Sequence, residues 1–469
     1  MPDELISNLF LTFVSIIIIW FVGAFIMFIL FKNELSLSEF IGFSYISGAG
    51  ITGALLYISS IIFNRFCSWF IYAFLFIAGI ISFILWVNSR HIHIWKTIKQ
   101  SKQLRYYEYL LILFALFIIV VVILEGIAGA PNWDGLLTYG FIAKSLFLSN
   151  RIDMKFFTDV IRYGHVHLDY PLLLPLLEYW LYHFIGSDNY QIIQFISIGY
   201  YIALVCIFYG SMRQRTARSI ALLSLLILMY NPIIISNTVG GDADIIVATY
   251  FTGILVIFSK LFTYPSIKTA FMLGMLTGFL ANTKNEGFAF FLMFSVLLMF
   301  IPGVTKKIWL YYFIPSALLG LPWFITKWVY DIRSDLFINV FQQIPLFKER
   351  LPIVLNYYYH FFTGTFPIVK GTGFLWLIVI LSFNAMLIKK SIRHSYGILW
   401  LPFILQFLIY TAVYFITPHT IKWQLELSIF RTMTQFAPPL LWLSVISLWG
   451  KYDNGMKPMD SGKNYLEDN

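Results

Sequence analysis

Thirteen apolar runs constrain what this chain can become. They lie at 9–31, 40–62, 69–88, 107–128, 190–211, 217–238, 244–262, 268–283, 286–302, 308–330, 371–388, 396–417 and 432–449. A helix needs about 20 apolar residues to cross roughly 30 Å of hydrocarbon, where every backbone polar group must be satisfied internally. Most runs meet that length; 268–283 and 286–302 are short. The expected fold is an all-α polytopic membrane protein with about thirteen transmembrane helices. Composition agrees: 59% of the 469 residues are hydrophobic and 12% are charged, against about 25% charged in soluble domains. No basic stretch precedes the first run and no small-residue cleavage site follows it, so a span is expected there and not a signal peptide. Cys67 and Cys206 fall in or beside apolar runs, and neither a disulfide nor a metal spacing is expected of them.

The net charge is +9. Basic clusters lie at Arg90 to Arg105, Arg213/Arg215/Arg218, Lys306/Lys307 and Lys389/Lys390/Arg393. Placing all four in the cytoplasm lets thirteen spans alternate without conflict, with the N-terminus outside and the tail inside. The basic excess then reports orientation, and no nucleic-acid partner is expected. Three parts follow: an N-terminal three-helix extension over 1–106, a transmembrane core over 107–449, and a cytoplasmic tail over 450–469, which is expected to be disordered. Within the core, 129–189 is a long extracytoplasmic loop. Its apolar stretch Pro171–Gly186 is short and carries Glu178, and counting it as a span would invert Arg213–Arg218. A helix at the outer interface is expected instead; an ordinary span is the alternative.

Ionisable groups at membrane depth are costly and tend to mark function. Here acids recur in the outer turns. Pro131-Asn132-Trp133-Asp134-Gly135 follows the helix ending near Ala128. Asp134, partly desolvated beside Trp133, would suit proton abstraction; the plainer expectation is a cap on an amphipathic helix over 135–149. Arg162 through Pro171 carries His165, His167, Asp169 and Tyr170. These could hydrogen-bond a sugar, or simply form the turn before a helix starting at Pro171. A metal is possible there but not favoured, because no third close ligand is evident. Gly240-Gly241-Asp242-Ala243-Asp244 opens an apolar helix. Its two acids could hold an acceptor group or a divalent ion, or only answer the helix dipole. Thr283-Lys284-Asn285-Glu286-Gly287 joins two short runs. Lys284 could hold a phosphate, or form a local pair with Glu286. In the segment from Thr417, the residues Lys422, Glu426 and Arg431 could line an amphipathic outer face, with snorkelling as the alternative for Arg431.

Taken in order, these pieces resemble the GT-C superfamily of integral-membrane glycosyltransferases, which includes protein O-mannosyltransferases and lipid A aminoarabinose transferases. The matching features are an acid just past a spanning helix (Asp134) and a long outer loop with a helix opening at Tyr170-Pro171-Leu172-Leu173-Leu174-Pro175. An acidic second turn follows (Asp242, Asp244), then the Thr-Lys-Asn-Glu-Gly turn. The last feature is Ile416-Thr417-Pro418-His419, Lys422-Trp423, Leu427-Ser428 and Arg431. The resemblance covers roughly 107–449. Two departures stand out: about three spans precede the core, and no large soluble domain follows it.

The resemblance implies an inverting transfer of sugar from a polyprenyl phosphate to an extracytoplasmic glycan, lipid or protein, in a bacterial plasma membrane, with no cofactor. Asp134 would be the base. Lys284, with Arg431 and Arg162, would hold the donor phosphate, and His165, His167 and Asp169 would contact acceptor or sugar. A donor whose prenyl chain stays in lipid places its phosphate at the interface, the depth at which Asp134 and Lys284 are expected. Two other classes remain open. A lipid or sugar transporter would show mid-span charges and broken helices. A polyprenyl-linked glycan polymerase or ligase would rely on arginines in the outer loops, and Arg162, Arg333, Arg350 and Arg431 are available.

Overall fold

The computed structural model describes residues 2–31, 34–88, 103–164, 166–333, 340–365 and 373–450. The basic stretch at 90–102, His165 and the tail from 451 lie outside the described residues. Among the described residues every regular element is helical. The first four long helices are α1 (Pro2–Phe31), α2 (Leu37–Phe63), α3 (Trp69–Asn88) and α4 (Tyr106–Ala128). A π-helical turn, Gly135–Gly140, leads into α5 (Phe141–Ser149), and α6 is Leu173–Ile185. Then come α7 (Gln194–Arg215), α8 (Arg218–Met229), α9 (Pro232–Val239), α10 (Ala243–Thr263), α11 (Ile267–Ala281) and α12 (Asn285–Leu297). The chain closes with α13 (Lys306–Gly320), α14 (Pro322–Val329), α15 (Phe347–Phe362), α16 (Gly373–Ile388), α17 (Lys390–Ile416) and α18 (Ile421–Trp449).

Six of these helices are long and apolar enough to cross a membrane, or up to eight if α8 with α9 and α13 with α14 each count as one bent span. The bends are 60° and 46°. Each has a local cause: Pro232 and Pro322 open the second helix of their pairs, where a missing N–H costs nothing, while a straight continuation through them would clash. The runs at 69–88, 268–283, 286–302 and 371–388 form shorter apolar helices. The last run, 432–449, is the second half of α18, which begins already at Ile421.

α10 is the axis of the bundle. Nearly every side chain from Ala243 to Leu261 is buried, and α2, α7, α9, α11 and α18 pack around it. Outer helices show the reverse pattern. Phe76, Leu113, Phe117, Leu318 and Ile388 are exposed apolar side chains, as expected where lipid is the solvent.

The N-terminal helices are part of this bundle. α1 and α2 cross in backbone contact: a Cβ on Gly23 would lie 1.8 Å from the Ser44 carbonyl oxygen. Small residues permit such close approach, and dispersion then drives association where lipid offers no hydrophobic gain. α2 continues inward, with Tyr45 donating to the Ile196 carbonyl (3.1 Å) and Tyr250 donating to the Ile46 carbonyl (2.8 Å).

Helix α6, expected at the outer interface, packs into the protein. Leu173 through Tyr182 are all buried, packed among α1, α2 and α5. Hydropathy cannot distinguish lipid from a protein interior, and thirteen residues reach only about 20 Å. Glu178 is fully buried there with neither carboxylate oxygen partnered. Burial pushes its carboxyl well above the usual range.

Two polar layers cap the bundle. At one end, Lys260 pairs with Glu39 at 2.8 Å and Arg218 with Glu108 at 3.2 Å. Glu39 also closes a capping box with Ser36 at the start of α2. The second layer lies at the opposite ends of α4 and α10. Along α10, Asp244 and Lys260 are about 24 Å apart at 1.5 Å per residue, close to the thickness of a bilayer core.

Candidate active site

The second polar layer gathers four segments that are far apart in sequence. The first begins where α4 stops at Gly129, whose N–H donates to the Glu125 carbonyl at 2.8 Å. Gln194 fixes this end by donating to the Gly126 and Gly129 carbonyls. Asn132 then staples the loop to the turn before α10. Its N–H donates to the Gly240 carbonyl (2.9 Å), and its side-chain amide donates to Asp242 Oδ2 (2.5 Å). The two loops are so close that a Cβ on Gly135 would lie 2.2 Å from the Gly240 oxygen. Asp134 and Asp242 are thereby carried into one site.

Asp134 makes no capping hydrogen bond to the helix that follows it, so the plainer expectation for this residue fails. Asn132 Oδ1 accepts the Gly135 N–H instead, at 3.0 Å. That frees the Asp134 carboxylate to meet Arg431 Nη2. Arg431 has its Nε 3.0 Å from Asp244 Oδ2. The other oxygen of Asp244 accepts from Lys284 Nζ at 3.0 Å and from Gln435 Nε2 at 2.5 Å. Gln435 in turn accepts from the Tyr410 hydroxyl. Lys284 Nζ also lies 3.6 Å from Glu286 and 6.0 Å from the centre of the Tyr170 ring. Asp244 is therefore the hub: it has no solvent exposure and binds both cations.

The electrostatics divide by burial. The Lys284 and Asp244 side chains are 4% and 0% exposed, whereas Arg431 and Asp134 retain 27% and 14%. Solvent-side access thus falls on the Asp134–Arg431 pair. Asp242 is buried with Oδ1 unpartnered. Burial, opposed by Arg431 and reinforced by Asp244 and Asp134, pushes its carboxyl up to about 7.

A second group adjoins the first through the turn at 284–285. Asp169 Oδ2 accepts from Asn285 Nδ2 at 2.6 Å and lies 3.6 Å from Lys327 Nζ, which donates to Asn285 Oδ1 at 3.1 Å. Trp323 donates to the Asp169 carbonyl at 3.2 Å. This ring ties the loop at 129–189 to the 283–286 turn and to α14. His167 stacks on Tyr170 with ring centres 4.6 Å apart.

No family model, curated protein or solved structure matches the chain.

Of the residues singled out in the sequence, the structure brings together Asp134, Asp242, Asp244, Lys284, Glu286 and Arg431, with Asp169, Tyr170 and His167 beside them. It does not bring in Arg162, whose side chain is 73% exposed and lies 3.8 Å from Asp159. Lys422 is exposed at the start of α18, about 13 Å along the helix from Arg431. His165 lies outside the described residues. Among the described residues, no three His, Cys, Asp or Glu side chains converge to hold a metal ion. Asn132, Gln435, Tyr410, Lys327 and Asn285 join the site without a role having been expected of them. Gln435 had a signal, lying four residues after Arg431 and so on the same helical face.

Proposed function

We propose that this chain is an inverting glycosyltransferase that moves a sugar from a polyprenyl phosphate to an extracytoplasmic acceptor. The supporting observation is the Asp134–Arg431–Asp244–Lys284 chain of contacts. It joins one carboxylate with solvent access to two cations held in place by a buried second acid, at helix ends where a lipid-linked phosphate resides. In this reading about thirteen helices cross the membrane, counting the shorter and bent ones. The N-terminus and the site face outward from a bacterial plasma membrane, and the resemblance to GT-C enzymes supports the same placement.

The donor phosphate takes over Arg431 from Asp134, and Lys284 adds a second positive charge. Asp134 is then free to accept the proton of the acceptor hydroxyl or amine. The acceptor lone pair forms the new bond to the anomeric carbon as the carbon–oxygen bond to phosphate breaks on the opposite face. That bonding pair stays on the phosphate oxygen, where Arg431 and Lys284 stabilise it, and the proton rests on Asp134. The acceptor is a glycan, a lipid or a protein. The chain's own side chains supply each of these roles without a cofactor.

The test is Asp134→Asn, assayed in detergent with a matched polyprenyl-phosphate sugar. Transfer falls to background while the melting temperature stays near wild type, because Arg431 keeps Asp244. Full activity in this variant refutes the assignment.

A second reading is a lipid or sugar transporter, favoured by the two bent helix pairs, since broken helices form transporter sites. It predicts substrate movement across a bilayer without a new glycosidic bond. The polymerase or ligase reading is weaker. Arg333 is exposed and pairs with Asp331, and Arg350 is spent on the carbonyls of Tyr414, Phe415 and Thr417.

A further inference from the structure

Tyr139 is out of place as a structural residue. It has no solvent exposure, and its hydroxyl has no hydrogen-bond partner in the structure. A buried phenol normally finds a partner, and an unsatisfied hydroxyl costs stability that phenylalanine would not. Its backbone setting is also unusual. Gly135–Gly140 is a π-helical turn, a rare form that recurs at functional sites. Asp134 is the residue that opens this turn. Tyr170 flanks it, with ring centres 5.9 Å apart, and Asp134, Asp244 and Arg431 are its charged neighbours. Burial first, then Tyr170, Asp134 and Asp244, hold the phenol well above its ordinary range. A phenol is protonated at neutral pH in any case, so the hydroxyl is available as a donor.

We propose that the Tyr139 hydroxyl is a ligand of the donor phosphate, donating a hydrogen bond that no group of the protein itself accepts. The inference rests on the transferase reading. The π turn places a neutral donor beside the base, and Arg431 and Lys284 supply the charge. The phosphate oxygen that leaves the anomeric carbon gains charge as the bond breaks, so this bond strengthens along the reaction. A donor that is neutral adds affinity without drawing Asp134 into a competing ion pair.

The test uses Tyr139→Phe in the full-length protein, purified in detergent and titrated with polyprenyl phosphate, with the matching polyprenol as control. Thermal melting reads binding, and sugar transfer is measured in parallel. Without ligand the variant melts at or above the wild-type temperature. Its midpoint for polyprenyl phosphate rises about tenfold to a hundredfold, the value of a hydrogen bond to a charged group, and kcat falls by a similar factor. If wild type responds to polyprenyl phosphate and the variant responds at the same midpoint with an unchanged rate, the role of Tyr139 is overturned and the transferase reading stands. A variant that melts several degrees lower without ligand shows a structural hydroxyl and overturns it as well. If wild type answers phosphate and polyprenol alike, the transferase reading and this inference fall together.

Discussion

Asp244→Asn is the variant in which the site's own charges set the size of the effect. Asp244 is fully buried and lies 3.0 Å from both Lys284 Nζ and Arg431 Nε. At an effective dielectric of about 20, each contact carries on the order of 5 kcal/mol of attraction before desolvation is subtracted. The amide keeps the shape and one acceptor oxygen but removes the charge. Two cations then remain, of which Lys284 is almost wholly buried. Breaking a buried pair in this way costs about 3–5 kcal/mol. At about 2 °C per kcal/mol for a large domain, melting falls by roughly 6–10 °C. The cause can be separated from a packing defect by a second substitution. Lys284→Met in the Asp244→Asn background removes the stranded charge, and melting recovers by about half of the loss although two polar groups are now gone. The assay is a fluorescence melt in detergent at two ionic strengths. Little salt dependence is expected, because the pair is shielded from bulk ions. An Asp244→Asn protein that melts within a degree of wild type, or a double variant less stable than the single one, would refute the argument that Asp244 organises the site.

Asp242 gives a pH dependence. Its carboxyl is raised from its ordinary value to about 7, so the folded state holds a proton that the unfolded chain releases near pH 4. Stability from this group is complete below the unfolded value and is lost as pH rises through about 7. Wild type is expected to melt lower at pH 8 than at pH 5, and Asp242→Asn to flatten that slope; melts across this range decide it. Arg162→Ala and Lys422→Ala remove exposed charges outside the cluster. Each should leave transfer unchanged and stability within about 0.5 kcal/mol, and a tenfold loss of activity in either would return that residue to the site.

The helices were legible in the sequence because bilayer thickness imposes a length on apolar runs. Their bends were not, although Asn231-Pro232 and Leu321-Pro322 mark both places where a helix must restart. The early start of α18 was hidden because Lys422, Glu426 and Arg431 interrupt the apolar pattern. The acids and cations of the site stood out as charges in turns between apolar runs, but their partners did not. Arg431 meets Asp134 across nearly three hundred residues, and no local spacing encodes that contact. Gln435 shares a helical face with Arg431, but Tyr410 is an uncharged residue inside an apolar helix, and only the fold reveals that the two together support Asp244. Asn132 was quoted beside Asp134 without a role, because a side-chain amide that staples two loops resembles any turn residue.

The most direct measurement places purified protein in proteoliposomes with a labelled polyprenyl-phosphate sugar and a candidate acceptor. It follows two quantities together: formation of a glycosidic bond of inverted configuration, and movement of the labelled lipid between leaflets. Wild type is expected to form the bond and Asp134→Asn to lose it, with no protein-dependent lipid movement. Movement of the lipid without a new bond would contradict the transferase reading.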